Sequence, residues 1–519
     1  MTEYVFGANI LENLTTGMYQ DSKIIYREYI QNACDQIDKA YKMRLLQAEE
    51  GRIDIWLEPE SRTICIEDNA TGIEASEFEK TLADIAFSNK KLGENKGFRG
   101  IGRLCGLAYC KELIFTSTAM GEDTISVMKC NAARMRELIS ANERGEKYTA
   151  SEVLSSIYSF STETTKEVNA HWFRVKLIGI NNENNDLLDF TQIKEYLSFV
   201  APVPYQNIFI FRPKVYEKAK QLNCTIDEYT ICLNGEQIFK KYQTNYKTSK
   251  GDDEIFDLDF HEIRDSQNNL LAWLWIGISH FKAIISKECK MRGLRLRKDN
   301  IQIGSEDALQ KLFNEDRGHH YFIGEVFAVS KDLIPNSQRN YFNENVPRND
   351  FERQIRRYFN GELQNIYYEG SAINSAYSKI DSYQKKEIEI SEKQLRGDYV
   401  DKQHLASART ELAKAKETAD KAVADIKKKK HKAADNKNTV VSKLILRIEK
   451  EREEQAAEIP AKEKPESSQI QHQTGYRADK LSAYNKHERK LISKIYGIIL
   501  SATDKKTAEM IIKKIEDNL

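Results

Sequence analysis

Residues 24–35 read IIYREYIQNACD, and the interpretation of the remaining sequence depends on this stretch. Its apolar residues recur at the spacing of one helical face, which predicts an amphipathic helix. Glu28, Asn32 and Asp35 follow at steps of four and three residues, so their side chains share one stripe of that helix. An acid, an amide and an acid beside an apolar face suit a magnesium-nucleotide site, but also the solvated face of an ordinary surface helix.

The composition predicts a multidomain protein without an overall charge. A chain of 519 residues is too long for one ordinary core, and we expect roughly two to four domains. Its 79 basic and 79 acidic side chains balance, so affinity for nucleic acid has to come from a local patch. The eight cysteines form no CxxC pair, which argues against a zinc site and a secreted disulfide framework. Without a membrane-length apolar run or a signal-peptide pattern, the expected location is cytoplasmic, with no membrane partner.

Two further polar motifs follow the helix within a short distance. Strand patterns over 52–58 and 63–67 predict a hairpin that runs into the loop DNATGI at 68–73. The stretch GENKGFRGIGRLCG at 93–106 has glycines in the pattern GxxGxG. Backbone N–H groups exposed by such glycines, beside a helix N-terminus, can cradle phosphate. Each motif alone is also typical of an ordinary turn, and it is their order that favours a nucleotide site.

Later segments predict more strands and then long helices. Strand patterns lie at 112–118, 123–130 and 171–180, whereas 131–170 is polar and predicted to be helical or loop-like. After Pro347 the chain has no proline until Pro460, which predicts long helices. Heptad spacing indicates an alanine-rich coiled coil, with Leu405, Leu412, Ala419 and Ile426 on one seam and Ala408, Ala415 and Ala422 on the other.

The acid-amide helix, the aspartate loop and the glycine-rich loop, in this order, resemble the GHKL ATPase superfamily. That superfamily includes gyrase B, the 90-kDa heat-shock chaperones, histidine kinases, MutL and MORC proteins. The segment EYIQNACD is most similar to the heat-shock-90-type (HtpG-like) first motif. The resemblance implies ATP and Mg²⁺ as ligands. It also implies that Glu28 is the general base for the attacking water, that Asn32 is the Mg²⁺ ligand, and that Asp35 supports the adenine side.

The remaining family motifs are matched with two departures. Asp68 is expected to accept from the adenine amino group beside Gly72 and Ile73, although Ala70 replaces the first glycine of this motif. A fourth motif, normally Gly-Thr before a strand, is replaced by Trp172 and Phe173. The third motif implies a lid over the phosphates, and its expected ligand-binding residues are Ser88, Lys90, Gly97, Phe98, Arg99, Gly100, Ile101 and Gly102.

The loop LIPNSQR at 333–339 is similar to the middle-domain loop of the 90-kDa chaperones. By that resemblance Arg339 would reach the γ-phosphate, a role that suits a planar guanidinium. The alternative interpretation is a proline-bounded surface loop.

The expected fold class is α+β. It combines a Bergerat-type ATPase α/β sandwich, a second α+β transducer (S5-like) domain and a C-terminal helical coiled coil with a helical tail. The expected segments are the ATP-binding domain at 1–184, the middle or transducer domain at 185–346, the helical region at 347–455, a linker at 456–475 and a C-terminal helical segment at 476–519.

These features predict an ATP-dependent clamp that acts on a protein client or with a partner effector subunit. The family resemblance implies that the clamp is a homodimer. The alternative is a MORC- or MutL-like clamp on DNA, in a bacterial defence or repair system. It would use the basic run Lys427–Lys437, which is equally typical of a solvated helix face. A third class, a scaffold that binds nucleotide without hydrolysis, is disfavoured because Glu28 and Asn32 are both present.

Overall fold

The computed structural model describes residues 6–15, 17, 21–85, 96, 100–396, 398–399, 401–434, 440–458 and 486–518. The chain divides into two compact units: residues 1–278 with 284–363, and residues 279–283 with 364–519. The expected α+β class is confirmed, since the first unit carries sheets with helices and the elements described in the second are helices. Within the described residues, no helix has the length and apolar character needed to cross a membrane.

An eight-stranded sheet organises the first part of the first unit. Its strands are β1 (Arg52–Glu58), β2 (Thr63–Asp68), β3 (Glu112–Thr118), β4 (Thr124–Asn131), β5 (Tyr158–Thr164), β6 (Trp172–Ile178), β7 (Thr230–Leu233) and β8 (Glu236–Gln237). The spatial order is β5-β4-β3-β6-β2-β1-β7-β8, and only β1 and β7 pair in parallel. Because β7 adds main-chain hydrogen bonds to β1, this sheet extends past the boundary expected at residue 184.

Helices cover one face of this sheet. They are α1 (Asn9–Thr15), α2 (Ile24–Met43), α3 (Ala75–Ala83), α4 (Ala132–Glu143), α5 (Ala150–Ile157) and α6 (Phe190–Val200), with 3₁₀ segments at Gly102–Ala108 and Asn182–Leu188. Alternate residues of β1, such as Ile53 and Ile55, share a buried cluster with Ile30 and Ile37 of α2. The apolar face of β1, which the period-two pattern predicts, therefore packs against the apolar face of α2, which the helical pattern predicts.

The strand β5 is a correction to the sequence interpretation, which expected helix or loop throughout 131–170. Its sequence YSFSTET lies at the edge of the sheet, paired only with β4, and six of its seven residues are exposed. A strand with no buried face lacks the apolar alternation by which strands are recognised.

A second, five-stranded sheet and a separate two-stranded hairpin lie in the rest of the first unit. The strands are β9 (Asn245–Thr248), β10 (Gly251–Glu254), β11 (Asp257–Arg264), β12 (Leu270–Ile278), β13 (Gly293–Lys298), β14 (Ile301–Gln302) and β15 (Ile323–Ala328). The five-stranded order is β11-β12-β15-β13-β14, and β9 and β10 form a separate hairpin. The accompanying helices are α7 (Arg212–Gln221), α8 (Asp316–His319) and α9 (Val346–Tyr358), with a 3₁₀ segment at Gln310–Leu312 and a π segment at Phe359–Leu363.

Helix α9 belongs with this sheet, although the helical region was expected to begin at residue 347. Its Phe351, Ile355 and Tyr358 are buried, and the Tyr358 ring stacks on His261 of β11 at a centroid distance of 3.7 Å. The apolar stripe of α9 is buried against β11, so the compact unit ends at residue 363.

A fully buried ionic cluster holds the second sheet together. Glu325 on β15 accepts hydrogen bonds from Arg297 on β13, from Tyr205 and, at 3.3 Å, from Lys240. The side chains of Glu325, Arg297 and Lys240 are all 0% exposed. Burial alone would raise the pKa of Glu325, but the two cations lower it to about 2. Glu325 is therefore ionised whenever the protein is folded near neutral pH.

The second unit contains α10 (Gln364–Arg396), α11 (Lys402–Ala434), α12 (Val440–Glu458), α13 (Lys486–Ala502) and α14 (Lys505–Glu516). Helices α10 and α11 run antiparallel, as the ion pairs Lys386–Glu411 and Glu369–Lys429 require. The expected seam residues Leu405, Ala419 and Ile426 are buried.

The basic run Lys427–Lys437 is only partly described, up to residue 434. Two of its lysines are engaged inside the helical unit, Lys429 with Glu369 of α10 and Lys430 with Glu449 of α12. These ion pairs reduce the positive charge that the run could offer to nucleic-acid phosphates.

Glu325→Gln should destabilise the first unit strongly, because Arg297 and Lys240 would stay buried without their acid. Breaking a buried pair in this way costs about 3–5 kcal/mol, which urea unfolding followed by circular dichroism can measure. The control is Glu236→Gln, which removes an exposed pair with Lys194 and should cost about 0–1 kcal/mol. Equal losses in the two variants would contradict the importance of the buried cluster.

Candidate functional site

A cavity of about 830 Å³ lies beside α2 in the first unit, a size typical of small-molecule sites. The helix α2, the end of β2, the loop after it and the start of the 3₁₀ segment supply most of its lining. The sequence-predicted residues that line it are Glu28, Asn32, Asp68, Gly72, Ile73, Gly100, Ile101, Gly102 and Arg339. Residues more than three hundred positions apart in the sequence therefore meet at one site.

Glu28 is a buried acid on the wall of the cavity. Its Oε1 atom lies 3.6 Å from Nε of Arg339 and 3.8 Å from Nη2 of Arg27, and it has no hydrogen-bond partner. A buried carboxylate oxygen held by charge alone retains the capacity to accept a hydrogen bond. A ligand or a water molecule in the cavity could therefore donate to this atom.

Gly102 allows the 3₁₀ segment to approach this acid. A Cβ atom at position 102 would lie 2.3 Å from Oε2 of Glu28, closer than any side chain tolerates. The approach is fixed by Tyr29, whose hydroxyl donates to Arg103 O at 3.0 Å and accepts from Gly106 N at 3.1 Å. A side chain at position 102 would therefore displace the carboxylate of Glu28 from the place it occupies.

Asp68 forms a buried acidic position at the end of β2. Its Oδ1 accepts a hydrogen bond from Ala70 N at 3.1 Å, and the residue is 4% exposed. Burial disfavours the carboxylate and raises its pKa to about 7, although the bond from Ala70 opposes this shift. Asp68 therefore presents a hydrogen-bonding group whose charge depends on pH near neutrality.

The loop after Asp68 needs its glycine and accommodates its alanine. Gly72 has φ of +63°, and a Cβ there would lie 1.9 Å from Thr118 O. Ala70, the departure from the family motif, is fully buried and packs in the hydrophobic cluster of this domain. The methyl group at position 70 is therefore part of the core.

Aromatic residues occupy the position of the missing Gly-Thr motif. Phe173 of β6 lines the cavity, pairs in register with Asp68 and lies 6.0 Å from the Phe115 ring, to which it is nearly parallel. Phe115 lines the cavity as well. Both side chains add apolar surface to the cavity, where the family motif would supply a threonine hydroxyl.

Asp35 is placed differently from Glu28 and Asn32. Its Oδ1 accepts a hydrogen bond from Lys96 N at 2.7 Å, and it is not among the described residues that line the cavity. Lys96 also forms ion pairs with Asp38 at 2.6 Å and Asp227 at 3.0 Å. Asp35 thus holds a residue of the glycine-rich segment against α2, and its contact with a nucleotide stays a prediction.

The loop at 333–339 brings Arg339 to the wall of the cavity together with Pro335, Asn336 and Ser337. Arg339 adopts a left-handed backbone conformation with φ of +52°, and its Nη2 donates to Lys96 O. One guanidinium therefore contacts both the glycine-rich segment and the acid of α2.

The sequence interpretation missed several lining residues, and part of its predicted lid lies outside the described residues. Ser88, Lys90, Gly97, Phe98 and Arg99 belong to that part. Lining residues that were not predicted include Gln36, Arg103, Phe115 and Met120. Of these residues, only Arg103 had a sequence signal, because it directly follows the glycine motif.

Comparison with known proteins agrees with this geometry. Residues 27–164 match the family described as "Histidine kinase-, DNA gyrase B-, and HSP90-like ATPase". An 88-residue segment is 35% identical to the chaperone protein HtpG of Helicobacter hepaticus, covering 16% of this chain and 14% of that protein. A 131-residue segment is 28% identical to HtpG of Halalkalibacterium halodurans, covering 22% of this chain and 21% of that protein. The resemblance to GHKL ATPases of the HtpG type is confirmed for this segment.

The raised pKa of Asp68 predicts a pH-dependent effect of Asp68→Asn on stability. The folded protein retains this proton up to about pH 7, whereas the unfolded chain releases it near the ordinary value of 3.8. The free energy of unfolding of the wild type therefore falls as pH rises between these values. Asparagine cannot ionise, so the variant should gain a few kcal/mol relative to wild type between pH 4 and pH 8 in urea unfolding.

The control for this prediction is Asp123→Asn, at an exposed carboxylate in the turn after β3. Its difference from wild type should be the same at both pH values. A constant difference for Asp68→Asn would contradict the assignment of a proton to Asp68.

Proposed function

We propose that this protein is an ATP-binding and ATP-hydrolysing molecular clamp with a chaperone-like action on a protein client. The observation that carries the proposal is the meeting of Glu28 with Arg339 at one wall of the cavity, 3.6 Å apart. An acid able to activate water comes from helix α2, and a cation able to bind phosphate comes from the loop at 333–339 that follows β15. The GHKL character of residues 27–164 supports ATP as the ligand.

Nucleotide binding would use both ends of the cavity. Asp68 would accept from the adenine amino group, while the rings of Phe115 and Phe173 would contact the base. The backbone around Gly100 and Gly102 would face the phosphates. Buried, unpartnered atoms such as Glu28 Oε1 and Arg103 Nε fit a polar ligand better than an apolar one.

Asn32 would hold Mg²⁺ through its amide oxygen, since it lines the cavity one helical turn from Glu28. The metal would neutralise charge on the phosphates. Glu28 would take the proton of the attacking water, and Arg339 would stabilise the charge that develops on the transferred group. Positioning and charge stabilisation then account for most of the rate enhancement.

The clamp cycle follows from the position of Arg339. Because its loop belongs to the second part of the first unit, engagement with a phosphate would couple that part to the nucleotide. We propose that closure favours association of two N-terminal domains and that hydrolysis resets them. Stimulation of the ATPase rate by an unfolded protein, and not by DNA, is the expected result of an activity assay.

Glu28→Ala should retain ATP binding but lose turnover, because the base is removed while the rest of the cavity remains. A positioned general base contributes about 10²–10⁴-fold, so a loss of this size in phosphate release is expected, with ATP affinity by calorimetry little changed. The control is Glu60→Ala in the exposed turn after β1. A Glu28→Ala protein that hydrolyses ATP at the wild-type rate would refute the assignment.

Arg339→Ala should lower turnover by roughly 10³-fold, as loss of a transition-state arginine does in phosphoryl transfer. Arg339→Lys should recover only part of this loss, because an ammonium lacks the bidentate geometry of the guanidinium. Arg353→Ala on the exposed side of α9 is the matched control and should be neutral. If Arg339→Ala binds and hydrolyses ATP normally, the loop at 333–339 is only a structural contact.

A further inference from the structure

Three potential metal-ligating atoms converge in the second part of the first unit, outside the nucleotide cavity. They are Oδ1 of Asp307, Nδ1 of His319 and Nε2 of His320, and all lie within 4.8 Å of one another. Asp307 Oδ1 is 3.5 Å from His319 Nδ1 and 3.8 Å from His320 Nε2. All three atoms are buried, and none has a hydrogen-bond partner. Buried polar atoms are normally satisfied, so three unsatisfied atoms that face one another need an explanation.

The surrounding residues fix the position of the His319 ring. The ring is completely buried and packs against Gly293, where a Cβ atom would lie 2.5 Å from its Cε1. Gly293 begins β13, and His319 ends α8 just before β15. The glycine therefore opens the space that the imidazole occupies, and the ring is held at the edge of the sheet.

We propose that Asp307, His319 and His320 form a binding site for a divalent transition-metal ion of the Zn²⁺ type. Zn²⁺ binds imidazole nitrogen and carboxylate oxygen at about 2.0–2.2 Å in tetrahedral geometry. Ligand atoms around such an ion are therefore roughly 3.3–3.6 Å apart, close to the two distances from Asp307. Two imidazoles with one carboxylate favour Zn²⁺ over Mg²⁺ or Ca²⁺, which prefer sets of oxygen atoms.

The backbone of Leu294 supplies the outer contact of His319. Nε2 of this ring lies 2.9 Å from Leu294 N and 3.5 Å from Leu294 O. Leu294 N–H donates to Nε2, so ligation through Nδ1 would require the proton on Nε2 and the exchange of this hydrogen bond for one from Nε2 to Leu294 O. In the other tautomer Nε2 accepts from Leu294 N and Nδ1–H points toward Asp307, an arrangement that needs no metal. Measurement of bound metal distinguishes the two arrangements.

Two of the three side chains are partly exposed, although the three ligand atoms themselves are buried. The side chains of Asp307 and His320 are 39% and 20% exposed, so an ion can enter and water can supply a fourth ligand. The cysteine pattern argued against a zinc site, and this cluster contains no cysteine. Among the described residues it is the one group of three such side chains that meets the distance requirement.

The metal would fix the loop that supports Arg339. Asp307 follows β14 by a few residues, and Gly304 between them donates its N–H to Arg339 O at 2.8 Å. Tying Asp307 to His319 and His320 would hold this loop against the sheet. The proposal stands on the ligand geometry alone and does not depend on ATP hydrolysis.

The test uses the full chain, stripped with EDTA and dialysed against buffered Zn²⁺, with metal content measured by mass spectrometry. The wild type should hold about one more Zn²⁺ per chain than His320→Gln, and Asp307→Asn should lower the affinity roughly ten-fold or more. These two side chains are partly exposed and can be changed with less risk to folding than His319. Co²⁺ in place of Zn²⁺ should give the visible absorption of a tetrahedral site in the wild type but not in His320→Gln.

The matched control is His431→Gln, at an exposed histidine on α11, which should bind Zn²⁺ and Co²⁺ like the wild type. Zn²⁺ should raise the thermal unfolding temperature of the wild type and of this control, but not of His320→Gln. Equal Zn²⁺ content in the wild type, His320→Gln and Asp307→Asn would overturn the proposal. That result would mean that Asp307, His319 and His320 are in contact but do not bind a metal ion.

Discussion

The first unit is organised around the contact between a buried acid and an arginine that comes from a distant part of the chain. Glu28 lies 3.6 Å from Arg339, and each side chain is 11% exposed. Removing such charges from water is costly unless each has an opposite charge nearby. The acid on α2 and the arginine of the 333–339 loop therefore each stabilise the other in its buried position. This mutual dependence ties the cavity beside α2 to the loop that follows the last strand of the second sheet.

The same wall is strengthened by Lys96, which sequence reasoning did not single out. Its amide donates to Asp35, its ammonium pairs with Asp38 and Asp227, and its carbonyl accepts from Arg339. Burial alone would lower the pKa of Lys96, but the two acids raise it above its ordinary value. The residue is thus a cation that links α2, the segment before β7 and the arginine loop. A nucleotide that draws Arg339 toward its phosphates would alter this set of contacts.

Much of the site was predictable because the chemistry lies in short motifs. The period of α2 places Glu28 and Asn32 on one face, and both line the cavity. Gly72 and Gly102 were predicted from their motif, and the structure gives the reason: each stands where a Cβ would collide with a neighbour. The contribution of Phe173 was not predictable in this way, since the family pattern expects a small polar pair there. The side chain of Asp35 accepts a hydrogen bond from Lys96 and does not line the cavity. This contact depends on the position of Lys96 in the folded chain, and no local sequence pattern encodes that position.

The sequence by itself determined the helix α2 and the hairpin that follows it, the identities of the acid, amide and glycines, and the helical character after Pro347. These follow from local periodicity and from the steric needs of a few backbone positions. Only the tertiary structure decided that β7 joins the first sheet, that α9 completes the second, and that Asp307 meets two histidines. Contacts of this kind join residues distant in sequence, and they form because burial of apolar surface and pairing of charge act on the folded chain as a whole.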